Sequence, residues 1–128
     1  MKRLLIVTAV IELGAGVALL CFPSATVALL LGSLLDTPAA MNLARVAGAA
    51  LFALGVACWL ARDNTQSRAA RGLVSAMVLY NLGAVIILSA AGIRSQPVGI
   101  ALWPAVVLHA VMAIWCVASL LRNPTRIN

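Results

Sequence analysis

The sequence predicts an all-α, polytopic integral membrane protein: a four-helix bundle with an extra short interfacial or re-entrant helix after helix 1. Three observations predict it. First, 64% of the 128 residues are hydrophobic and only 9% are charged, which leaves too little polar surface for a soluble domain. Second, the apolar residues fall in runs close to the roughly 20 residues needed to cross a hydrocarbon core of about 30 Å. Third, the basic residues flank those runs instead of forming one dense patch. A membrane β-barrel would need short strands of alternating polarity, a pattern the sequence lacks. Helices satisfy their backbone polar groups within each segment.

The first span runs over 4–22 and stops at Pro23. The stretch SATVALLLGSLL, 24–35, is apolar but too short to cross, and reads as an interfacial or re-entrant helix on the outer side. Thr37 as N-cap and Pro38 at the first helical position open the second span, 38–61. The polar segment RDNTQSR forms a loop, and Ser67 caps the third span, 68–91, with Gly92 as its stop. Residues 93–96 make a short turn. Pro97 opens the fourth span, 97–121, which Asn123-Pro124 closes. The whole chain makes a single transmembrane domain.

Charge sets the expected orientation. Lys2, Arg3, Arg62, Arg68, Arg71, Arg122 and Arg126 share one side, whereas Arg94 alone lies in the opposite loops and Arg45 lies within the second span. The positive-inside rule then puts both termini and the 62–71 loop in the cytoplasm. The net charge of +6 reads as topology and contact with anionic lipid, not as a nucleic-acid footprint. Met1-Lys2-Arg3 and the apolar run behind it imitate a signal peptide. Glu12 interrupts the apolar region and no small-x-small cleavage site follows, so the segment reads as a retained first helix.

The three cysteines, Cys21, Cys58 and Cys116, are far apart, with Cys21 near the outer side and the others toward the inner side. They read as packing residues, not as a disulfide or zinc site. Ala44 and Gly48, Gly14 and Ala18, and Gly72 and Ala76 have the small-xxx-small spacing that lets membrane helices approach closely.

The candidate site rests on polar residues that lipid should exclude. At about 1.5 Å of rise per residue, Glu12, Asn81 with its neighbour Tyr80, and His109 reach nearly the same depth from three different helices. Arg45 sits nearer the outer face, with Asn42 one turn before it. Its long side chain snorkels outward or bends toward Glu12. Glu12, Arg45, Tyr80, Asn81 and His109 are therefore the candidate ligand-binding or proton-carrying residues. The structural reading stands beside this one: Glu12 with Arg45 or with His109 as an ion pair that fixes helix register. No metal and no cofactor is expected, because His109 has no second His or Cys one turn away. Phosphate loops, dinucleotide fingerprints, H-E-x-x-H and G-x-S-x-G are all absent from the sequence.

The order of a glutamate in the first span, Ala44-Arg45 near the start of the second, Tyr80-Asn81 in the third and His109 in the fourth resembles small, loosely DoxX-like bacterial four-helix membrane proteins. That resemblance implies an inner-membrane four-helix protein. Glu12 within VIELGAG is also similar in position to the first-helix glutamate of small multidrug resistance transporters. Arg45, Asn81 and His109 depart from that pattern, no lysine stands near the end of the first span, and 24–35 lengthens the first outer loop. The function expected is binding of a small apolar or amphiphilic ligand at the polar cluster, or service as an accessory subunit of a membrane complex. The alternatives are a proton-coupled transporter of small multidrug resistance type and an intramembrane acid/base enzyme using Glu12 and His109. The expected partners are the lipid bilayer, the ligand, and a second copy or larger membrane complex.

Overall fold

A computed structural model of the chain describes residues 1–94 and 97–122. Five helices follow in order: α1 (Lys2–Cys21), α2 (Pro23–Leu31), α3 (Pro38–Ala61), α4 (Arg68–Arg94) and α5 (Leu102–Arg122). Among the described residues there is no strand. The helices α1, α3, α4 and α5 are each long and apolar enough to cross a membrane. Large apolar side chains point outward all round, among them Leu43, Leu60, Leu79, Ile86 and Ile114. Such a surface is stable against lipid tails and unstable against water. The chain is a multi-pass membrane protein.

Local chemistry explains the element ends. Phe22 separates α1 from α2, and Pro23 sits at the first position of α2, where a missing N–H leaves no gap. Gly32 ends α2 with φ 75°, a left-handed conformation that glycine adopts without penalty. The Thr37 hydroxyl accepts from Ala40 N at 3.1 Å at the start of α3, and Ser67 Oγ accepts from Ala70 N at 3.1 Å at the start of α4.

Two boundaries differ from those expected. Helix α4 passes through Gly92 and continues to Arg94. Gly92 is a crossing point instead of a stop: a Cβ there would lie 2.8 Å from the Leu102 side chain and 3.1 Å from Trp103. Helix α5 begins at Leu102, not at Pro97. The segment before it is held by α2, with Ala101 N donating to Leu29 O at 2.9 Å. Pro104 consequently falls in the first turn of α5, where it removes no intrahelical bond. Ser95, Gln96, the expected Asn123-Pro124 stop and Arg126 lie outside the described residues.

The helices pack as two pairs, α1 on α3 and α4 on α5, with much lighter contact between the pairs. The first pair is joined backbone to backbone. A Cβ at Gly16 would lie 2.6 Å from Phe52 N, and one at Gly48 would lie 2.9 Å from Gly16 O. Only residues without side chains allow this approach. Gly48 belongs to this seam, but Gly14 and Gly72 face open space, so their small-xxx-small spacing does not build the fold within one chain.

The bundle has two unlike halves. Toward the end that carries the N-terminus, the core is dry and closed. Leu4, Leu5 and Ala9 of α1 pack there with Cys58, Val74 and Met77, and with Met112 and Cys116 of α5. At that end Lys2 Nζ lies 2.7 Å from Asp63 Oδ1, and the Arg62 guanidinium stacks 4.1 Å from the Trp59 ring centre. Toward the α2 end the two pairs part around a cavity.

Candidate functional site

The cavity has a volume of about 530 Å³, inside the roughly 300–1,000 Å³ typical of small-molecule sites. Its walls are apolar: Ala15 and Leu19 from α1, Leu51 from α3, and Ala84 and Leu88 from α4. Helix α2 lies over it and contributes Thr26 and Leu30. The Thr26 hydroxyl is turned away from the space, donating to Phe22 O at 2.8 Å and lying 3.1 Å from Ala18 O. That bonding ties the roof to the end of α1.

The polar end of the cavity is formed by Glu12, Tyr80 and His109, at the level where the dry core begins. Glu12 is only 3% exposed, and the Tyr80 hydroxyl lies near enough to interact with its carboxyl group. The Tyr80 and His109 rings meet edge to face, with centroids 5.5 Å apart and planes at 82°. His109 Nδ1 lies 2.8 Å from Asn81 Oδ1, and Asn81 Nδ2 donates to Met77 O at 2.7 Å. The second bond fixes the orientation of the Asn81 amide. Its oxygen must then accept from His109 Nδ1–H, which leaves Nε2 of the neutral ring with a lone pair. Asn81 is a support behind the histidine, not part of the wall.

Four of the five candidate residues, Glu12, Tyr80, Asn81 and His109, are thus brought together by α1, α4 and α5. Arg45 is not among them. It is exposed and borders a separate shallow recess with Cys21, Phe22, Pro23, Ser24 and Met41. The ion pairs given by the described residues around Asp63 involve Lys2 and Arg62, and neither Arg45 nor His109 pairs with Glu12. The physical reason is azimuth: Arg45 lies on the outward face of α3, whereas Ala47 and Leu51 of that helix border the cavity. Asn42, one turn earlier, is exposed as well.

Among the described residues two buried side-chain polar atoms lack a hydrogen-bond partner, Glu12 Oε2 and Thr8 Oγ1. They stand one helical turn apart on the same face of α1. Thr8 is a member of the polar cluster that sequence reasoning missed. Its i, i+4 spacing to Glu12 was the available signal, but a threonine in a span is ordinarily satisfied by its own helix. Cys58 and Cys116 are free thiols buried in the core below, and Cys21 is free and exposed. Among the described residues there is no group of three or more His, Cys, Asp or Glu able to hold a metal ion.

Fold and site together define a class: a four-span helical membrane protein with an apolar interior cavity closed at one end by hydrogen-bonding side chains. Comparison with protein-family models, curated proteins and solved structures finds no match to the chain.

Proposed function

We propose that the protein binds a small apolar or amphiphilic molecule inside the bilayer, in the cavity between the α1–α3 and α4–α5 pairs. One observation carries this reading: a space of about 530 Å³ has apolar walls and a polar end formed by Glu12, Tyr80 and His109. Tyr80 and His109 stay partly exposed at that end, whereas Asn81 behind them is fully buried. A ligand seated between these apolar walls gains packing on each of them.

The reading places the chain in a bacterial inner membrane with both termini cytoplasmic. Support for the orientation comes from Lys2, Arg3, Arg62, Arg68 and Arg71 at or near the helix ends opposite α2. Support for the membrane comes from the residue order shared with small, loosely DoxX-like proteins.

The test is native mass spectrometry of protein extracted in mild detergent, beside a cavity-filled Ala84→Trp variant. A small-molecule adduct on the wild type that is lost in the folded variant is the expected result. An adduct-free wild type that also binds none of a panel of added amphiphiles would overturn the proposal. Glu12→Gln and His109→Ala should each weaken binding with the fold intact.

A further inference from the structure

The chemistry of the polar end goes further and selects a class of ligand; this step rests on the binding function proposed above. The groups presented there are predominantly acceptors. Glu12 contributes a carboxyl group, and His109 Nε2 carries a lone pair because Nδ1–H is committed to Asn81. Asn81 itself has nothing left to offer, since its amide nitrogen is spent on Met77 O. Tyr80 brings a hydroxyl beside Glu12 that can accept as well as donate. A head group that donates a hydrogen bond therefore finds its acceptor at His109 Nε2.

The position of these groups restricts the ligand further. They lie at the inner end of the cavity, where the dry core begins, so the ligand's polar head points toward the middle of the bundle and its apolar body toward α2. A membrane phospholipid has the opposite requirement, a charged head at the interface, and its two tails exceed a space of about 530 Å³. The way in is lateral. Ala47 of α3 and Ile87 of α4 border the cavity and are both exposed, Ile87 by 68%, and α3 touches α4 only lightly. That lightly packed seam faces lipid tails. Neutral molecules dissolved in hydrocarbon enter there readily, whereas an ion would have to shed its water to do so.

We infer that the ligand is a neutral, bilayer-dissolved alcohol: one hydrocarbon body ending in a hydroxyl that donates to the Glu12–His109 end of the cavity and enters between α3 and α4.

The experiment uses the full chain in phosphatidylcholine nanodiscs with tritiated 1-dodecanol as the probe, and reads displacement by unlabelled 1-dodecanol, dodecane, dodecylammonium and dodecanoate. It is run at about pH 8, above the ordinary range of carboxyl groups. Saturable binding is expected, with the alcohol displacing the probe about tenfold better than each of the other three, a margin matching one satisfied hydrogen bond. Ala84→Trp should abolish saturable binding, and His109→Phe should weaken the alcohol severalfold without changing displacement by dodecane. Unchanged thermal unfolding of both variants serves as the folding control, and Ala47→Trp, at an exposed position, repeats the blockade where Ala84→Trp fails to fold. Equal displacement by dodecane, or stronger displacement by dodecylammonium or dodecanoate, would overturn the alcohol assignment while leaving cavity binding in place. Saturable binding that survives a folded cavity-filled variant would overturn both.

Discussion

His109 Nδ1 and Asn81 Oδ1 stand 2.8 Å apart, joining α5 to α4 through a buried amide whose other end is anchored on Met77 O. Hydrogen bonds between membrane helices average about 0.6 kcal/mol and reach about 1.7. Leaving one buried donor unmatched costs about 1–3 kcal/mol. The orphaning term is the larger, so Asn81→Leu should destabilise the protein by about 1–2 kcal/mol. A double-mutant cycle with His109→Phe, followed by unfolding in mixed micelles, should return a coupling nearer 0.6–1.7 kcal/mol.

Thr8 gives the opposite sign. Its hydroxyl oxygen is buried without a partner, so Thr8→Val removes an unsatisfied group and keeps the shape. Stability should rise by about 1 kcal/mol. A fall instead would mean that an ordered water links Thr8 to Glu12, and the same unfolding assay decides.

The glycines divide into two groups that a mutational scan will separate. Gly16→Val and Gly48→Val drive a side chain into the facing backbone at 2.6–2.9 Å and should prevent α1 and α3 from docking. Gly14→Ala and Gly72→Ala meet nothing within 4 Å and should stabilise by about 0.4–1 kcal/mol through lower chain entropy. Thermal aggregation of the detergent-solubilised variants reads both effects.

Thiol labelling should follow burial. Cys21 is exposed, while Cys58 and Cys116 are buried in the core. A membrane-permeant maleimide should modify Cys21 first and reach the other two only on denaturation, counted as mass increments on the intact chain.

At the terminal end, the ammonium of Lys2 holds the Asp63 carboxyl below its ordinary value. A depressed carboxylate stabilises the fold above its unfolded pKa, about 3.9 for Asp, and that support is lost as pH falls through the lower folded value. Both side chains are more than half exposed, so the effect is small and screened by salt. Unfolding midpoints of wild type and Asp63→Asn should differ slightly at neutral pH, and the difference should vanish well below about pH 4.

Much of this arrangement is legible in the sequence, because membrane thickness turns residue number into depth. Glu12, Tyr80, Asn81 and His109 were expected at one level from helix lengths alone, and the structure joins them. Depth says nothing about azimuth. Each span is apolar on every side, so no polar face marks which way a residue points; Arg45 could snorkel outward or bend toward Glu12, and it lies on the outer face of α3. The seam through Gly16 and Gly48 was only half visible: alanine and glycine are so common here that spacing cannot select the pairs that touch. The start of α5 was displaced for a non-local reason, since the bond from Ala101 N to Leu29 O joins residues far apart in the chain.

The pairing of α1 with α3 through bare backbone also has a consequence for biosynthesis. Both helices leave the ribosome before α4, so the glycine seam can zip while the rest of the chain is still being made. Glu12 then waits in the young hairpin without Tyr80. The chamber comes into being only when the later hairpin packs against the earlier one.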